Sequence, residues 1–359
     1  MNKLLALLAL PVLFVVSTIA AAENPHMDEA LHSKSKRAAD EGLHYLRGTQ
    51  ADDGSWSKSV GVTALALRAF LESHRKYNED DGPFITRPID FILKHVNKDG
   101  SISETNQNRN YNTAVAITAL QATGNPKYDT VIKNAQNYIK KLQLDDGEGY
   151  DKSHKYYGGM GYGGDERPDL SNQYMAIEAL KTTSLDPKDP VWEKALVFIS
   201  RCQNRSESND QEWAGNDGGF TYMPGYSPHG GAGSYGGMTS AGLLSLLFAG
   251  ADKNDPRVQS AYNWIKNNYT LDDNPGAKGK QGLFYYYNAF SKAMLAYGED
   301  EIETKTGKRN WRNDLASKLI ELHSKEGYWV NENSPRWWEG DKNLVTAWSV
   351  IALDNINKK

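Results

Sequence analysis

The strongest constraint in this sequence is a period. A bulky pair closes a helical pattern at Tyr45-Leu46, Phe91-Ile92, Tyr138-Ile139, Phe198-Ile199, Trp264-Ile265 and Leu319-Ile320. A glycine turn follows each, at Gly54, Gly100, Gly147, Gly218, Gly282 and Gly327. In the first three units the aromatic precedes its glycine by nine residues. Self-similarity of this kind marks a repeat architecture, in which one unit cannot bury its apolar face alone.

Each unit reads as two helices of different character. Before the turns, "VIKNAQNYIKKLQ" puts Val131, Ile132, Ala135, Ile139 and Leu142 on one face and lysines and asparagines on the other. "RVQSAYNWIKNNY" does the same with Val258, Ala261, Tyr262 and Ile265. Such helices keep one side wet. After the turns come segments such as "VTALALRAFL", "YNTAVAITAL" and "NLVTAWSVIAL", apolar nearly all round and rich in alanine. A helix apolar on every face is buried. Strand-like alternation over any length is absent.

Six wet-faced and six buried helices in alternation predict an all-α fold. The expected form is an (α/α)6 toroid with an inner and an outer helix ring, spanning residues 38–357 as one domain. An open solenoid of helical pairs is the alternative. Closure is expected because six units suit a ring and neither end reads as a polar capping repeat. Within the turn "QADDGSW", Gly54 supplies positive φ, Trp56 is expected to wedge between helices, and the Gln50 amide to satisfy backbone groups at helix ends.

Residues 1–22 read as an export signal: Lys3, an apolar Leu4–Val16 core, then Ala20-Ala21-Ala22. That core is shorter than the roughly 20 residues a membrane span needs, and no second run of membrane length follows. An exported chain, periplasmic or extracellular, is expected, with residues 23–37 as an N-terminal extension. The net charge of −4, without long runs of one sign, gives no reason to expect nucleic acid. Cys202 is the single cysteine, so no internal disulfide forms; its place on an apolar helix face reads as a buried structural thiol.

"QADDGSW" resembles the glutamine-tryptophan repeat of the squalene-hopene cyclase and protein prenyltransferase superfamily (terpenoid cyclase superfamily). "QLDDGEGY", "QNRSESNDQEWAGNDGGF", "GKQGLF" and "SKEGYW" are similar to eroded or expanded copies. The resemblance covers the chain after the export signal and implies the toroid, with a ligand cavity at one mouth of the inner ring. It implies less about activity, since function lies in sites rather than folds. Class II terpene cyclases protonate an alkene from a D-x-D-D run. The comparable stretch here is Asp169-Leu170-Ser171-Asn172, which keeps only the first acid. Protein prenyltransferases hold zinc with an Asp, a Cys and a His. Here Cys202 belongs to an outer helix and the eight histidines show no metal-ligand spacing, so neither metal nor cofactor is expected.

Glycine-to-glycine intervals of 46, 47, 71, 64 and 45 residues place long inserts in units three and four. Insertions in a repeat array map to one face, often the binding face. The inserts, residues 148–172 and 218–240, and the loop 331–343 are rich in glycine and aromatics. Tyr156, Tyr157 and Tyr162, with Tyr226, Trp337 and Trp338, are the candidate ligand-binding rings; Glu166, Arg167 and Asn172 are candidate polar contacts. Asp169 is a candidate general acid or base, with His229 or Tyr235 across the mouth as counterpart. The structural alternative is that the aromatics pack the inserts onto the ring and Asp169 caps a helix. Three functions remain open: binding a small apolar molecule, such as a terpenoid, in the central cavity with or without isomerase activity; a polysaccharide lyase or hydrolase acting on a glycan; and a non-catalytic binding or scaffold protein.

Overall fold

The computed structural model describes residues 26–163 and 167–358. The export signal read over residues 1–22, and Asp165 and Glu166, lie outside them. The described residues form twelve α-helices in alternating outer and inner positions. The outer helices are α1 (Glu29–Thr49), α3 (Pro83–Lys94), α5 (Asp129–Lys140), α7 (Val191–Arg201), α9 (Pro256–Asn267) and α11 (Trp311–Glu321). The inner helices are α2 (Val60–Glu72), α4 (Arg109–Ala122), α6 (Leu170–Thr182), α8 (Gly236–Phe248), α10 (Leu283–Tyr297) and α12 (Lys342–Asn357). Each inner helix packs on the next, and α12 returns to α2, so the ring closes. No described helix is long and apolar enough to cross a membrane.

α1 begins at Glu29, inside the segment set aside as an extension, because those residues seal the seam between last and first units. Buried Ser35 donates to Asn357 Oδ1 at 3.1 Å, and His26 is bonded to Asp300. A second difference is an antiparallel hairpin between α10 and α11, β1 (Glu301–Thr304) paired with β2 (Gly307–Asn310). Only Ile302 of it is buried, too little for an alternating pattern to register in sequence.

The repeated turn works as a backbone clasp. Gln50 Nε2 donates to Gly54 O and Phe84 O at 3.1 Å, joining its own turn to the first turn of α3. Gln143 does the same to Gly158 O and Val191 O, and Gln203 to Gly218 O and Arg257 O. Trp56 and Trp329 are fully buried; their indole N–H groups donate to Leu46 O at 2.7 Å and Leu319 O at 2.8 Å, ending α1 and α11. The turn glycine presses on the next outer helix. A Cβ on Gly54 would lie 2.4 Å from the Arg87 backbone, and one on Gly327 would lie 2.9 Å from Glu41 O in α1. In the third unit this place is taken by Gly158, not Gly147, and Gly282 is the N-cap of α10 instead of a clasp. The nine-residue spacing at Gly147 is therefore a coincidence of the insert.

A buried charged cluster crosses the lumen between the inner helices. Near their C-terminal ends, Arg68 (α2), Glu178 (α6) and Lys292 (α10) meet from alternate helices, all nearly or fully buried. Arg68 Nη1 donates to Glu178 at 2.7 Å, and Lys292 Nζ donates to both Glu178 oxygens at 2.9 Å. The lower lumen is plugged by charge. The open space lies above it.

Candidate functional site

All six inner helices point their N-terminal ends at the same mouth, where a cavity of about 620 Å³ opens. Unsatisfied N–H groups and the aligned helix dipoles would make this mouth positive. Side chains from neighbouring loops cover those groups. Glu104 Oε2 accepts from Val60 N at 3.3 Å, and Asn274 Oδ1 from Gly237 N at 2.9 Å. Glu339 accepts from Leu283, Phe284 and Tyr285 N at 3.0, 2.8 and 2.9 Å, doing for α10 what Gly282 lacks the side chain to do. Burial pushes the Glu339 carboxyl up to about 7, against the pull of those N–H donors and of Asn331.

Below the caps, one residue in the first turn of five inner helices fixes the preceding turn. Thr63, Thr113, Gln173, Thr239 and Thr346 accept from the N–H groups of Trp56, Ile102, Met160, Phe220 and Trp329. Thr113 and Thr239 are thus anchors of the turn.

The cavity wall gathers several of the residues expected from sequence. Tyr162, Asn172, Tyr226, Tyr235, Trp337 and Trp338 line it. Tyr156 packs the third insert against the core and Tyr157 is buried, and neither reaches the cavity. Arg167 is exposed and off the wall, and Glu166 lies outside the described residues. Cys202 is buried at the end of α7, its thiol pushed well above the ordinary range by desolvation.

Asp169 stands behind the wall. It is the N-cap of α6, accepting from Asn172 N at 2.9 Å and Asn172 Nδ2 at 2.8 Å. Desolvation pushes its carboxyl up to about 6, with the Asn172 and Tyr222 hydrogen bonds pulling the other way. It meets the cavity only through Asn172 and through Tyr222, whose hydroxyl lies 3.2 Å from that of Tyr162. His229 is half-buried, edge-on to Tyr235 at 4.6 Å and to Trp337 at 5.6 Å. Its Nδ1 accepts from Lys278 N at 3.2 Å, which assigns the proton to Nε2. Burial, then Arg336 and Lys278, hold it down to about 4, so it is neutral at pH 7 with its basic nitrogen already used. His229 therefore braces Trp337 and Tyr235 in this arrangement, and offers no free base.

Sequence reasoning missed Glu104, Tyr111, Tyr222, Tyr285, Glu339 and Trp348, which also line the cavity. Most sit in the first two turns of inner helices or in the loops capping them. Their signal was positional: in a closed ring the opening turns of buried helices face the mouth.

Residues 58–226 match the sequence model of the squalene-hopene cyclase C-terminal domain. No curated protein sequence matches the chain. Among solved structures, it is similar to an inactive variant of the α-1,6-mannanase of Salegentibacter sp. HEL1_6 in complex with α-1,6-mannotriose. The TM-score is 0.62 at 10% identity, covering 90% of this chain and 98% of that one. It is similar to the Candida albicans protein geranylgeranyltransferase-I complexed with GGPP, with TM-score 0.57 at 15% identity over 91% of each chain. Cellobiose 2-epimerase from Spirochaeta thermophila gives 0.59 at 15%, covering 91% of this chain and 97% of that one. At these identities the structures establish the α/α toroid and nothing of the ligand.

Proposed function

We propose that this squalene-cyclase-like α/α toroid is a glycan-binding protein, taking a compact, hydroxyl-bearing ring in the mouth cavity. One observation carries the reading. Every aromatic ring lining the cavity is a Tyr or a Trp, whereas the Phe side chains among the described residues sit in or against the core. A cavity built for hydrocarbon has no use for a polar handle on each ring. A sugar has an apolar face for the ring and a polar edge for the handle. The amides of Asn112 and Asn172, Ser171 and the Glu104 carboxylate stand among the rings. Asn172 Oδ1 has no hydrogen-bond partner among the described residues, so sealing it under hydrocarbon would cost roughly 1–3 kcal/mol where a hydroxyl would satisfy it. The volume lies within the ~300–1,000 Å³ usual for ligand sites.

Binding is the activity proposed, with no bond-breaking step assigned. Both carboxylates on the wall, Glu104 and Glu339, already serve backbone N–H groups, and Asp169 acts behind the wall as a cap. As part of the same proposal, residues 1–22 are read as an export signal that carries this binding outside the cytoplasm. A terpenoid ligand keeps one observation in its favour: Val62, Met238 and Leu344 also line the cavity.

Isothermal titration of the chain without residues 1–22 decides between the two, against malto-, cello- and α-1,6-manno-oligosaccharides on one side and squalene and a hydroxylated triterpenoid on the other. Saccharide binding, weakened at least tenfold by Glu104→Gln, is the expected result. Triterpenoid binding with no saccharide binding overturns it.

A further inference from the structure

Resting on that reading, we infer that the site accepts the end of a glycan chain, one terminus entering the cavity and the following units lying on an aromatic rim.

Among the described residues the large hydrophobic side chains left exposed are Tyr162, Tyr226, Trp337 and Trp338, at 38%, 48%, 41% and 61%. All four border this one mouth. Scattered exposed aromatics need no explanation; four on one rim mark a contact surface.

Two of them are displayed at a conformational cost. Trp337 and Trp338 both adopt positive φ, 58° and 69°, the left-handed region that bulky residues avoid. Such backbone persists only where its surroundings over-determine it, and here they do. Asn331 N donates to Glu339 O at 2.9 Å, and Asn331 Nδ2 to Lys280 O at 2.7 Å and Glu339 Oε2 at 2.6 Å. Glu339 in turn grips the start of α10. The Arg336 guanidinium lies 4.8 Å over Trp337, with the His229 edge on the same indole. The loop is a bracket holding two indoles at the rim. Nothing in the packing of the core requires them there.

The end-on direction follows from the plug. Arg68, Glu178 and Lys292 close the lumen about two turns below the helix N-termini, and Tyr174 is fully buried beside them. A polymer cannot thread the ring. An end can enter, and the rings that follow it leave past the rim.

The test measures binding of linear oligosaccharides of one to six units by wild type, Trp338→Ala and Trp337→Ala, with circular dichroism confirming the fold. Affinity is expected to climb over the first three or four units and then level. Trp338→Ala is expected to cost about tenfold for the long chains, the loss of one stacking contact, and clearly less for the shortest binding sugar. A hexamer carrying a bulky benzyl-type group at one terminus should lose binding, while the same group at the other terminus is tolerated. Short sugars that bind with no gain on lengthening, equal losses for short and long chains, or indifference to both blocking groups would overturn the end-on site and leave the cavity reading standing. If no saccharide of any length binds, both fall.

Discussion

Lys292 Nζ donates to both oxygens of Glu178 at 2.9 Å from the next inner helix but one, with Arg68 closing on the same carboxylate at 2.7 Å. The three come from alternate inner helices, so the cluster ties three sides of the ring together as well as forming the floor of the site. Breaking a buried pair by removing one partner leaves the other charge uncompensated. Lys292→Met is expected to lower stability by about 3–5 kcal/mol, read from urea unfolding. A change below about 1 kcal/mol would mean that Glu178 is held by Arg68 alone.

Asp354, in α12, is buried with neither carboxylate oxygen hydrogen-bonded among the described residues. Burial raises its carboxyl to about 8, Lys358 opposing and Glu72 adding to the rise. A folded-state value above the unfolded one favours the fold fully below about pH 4, and the gain drains away as pH climbs to about 8. Asp354→Asn removes that slope. At pH 8 the variant is expected to be the more stable by about 1–3 kcal/mol, with the gap shrinking toward pH 4. Parallel melting curves across that range would contradict this.

The clasp glycine of the third unit is identified by a pair of substitutions. A Cβ on Gly158 would sit 1.9 Å from Lys194 O, with φ at +80°, whereas one on Gly147 meets only the Asp145 side chain at 3.1 Å. Gly158→Ala should therefore cost about 2 kcal/mol or more and Gly147→Ala well under 1. Thermal melting of the two proteins settles the register of the repeat.

Glu339 joins the Trp337-Trp338 loop to α10 through three backbone N–H groups and Asn331. A glutamine offers one acceptor oxygen where the carboxylate offers two, so Glu339→Gln leaves buried N–H donors short, at about 1–3 kcal/mol. The loop should then open, and limited trypsin digestion should cut after Arg336 several-fold faster than in wild type. Unchanged cleavage would show that Asn331 and the neighbouring rings suffice.

The helical pairs, their order and their closure into a ring were legible in the chain because burial repeats: wet-faced and all-apolar segments alternate regardless of what the loops do. The clasp was partly legible. Gln50 and Trp56 do what their chemistry suggests, but the insert of the third unit displaced its glycine to Gly158, and spacing alone pointed to Gly147. The hairpin at residues 301–310 escaped notice because it buries a single side chain.

The candidate site divides in the same way. Tyr162, Tyr226, Trp337 and Trp338 reveal themselves as aromatics in loops that repeat arithmetic does not need. Glu104, Glu339 and Tyr285 do not, since nothing local in "SISETNQN" or "RWWEGDKN" says that its acid caps a helix belonging to another unit.

Composition and periodicity thus set which segments become helices, which of them are buried, and how many pairs must close on themselves, since each of these follows from side-chain polarity along the chain. Which residues share the mouth, which acid is spent on a backbone N–H, and where the lumen is blocked were decided only by tertiary structure. Those are meetings between side chains far apart in the chain, 114 residues for Glu178 and Lys292, and no local pattern encodes a distance across the ring.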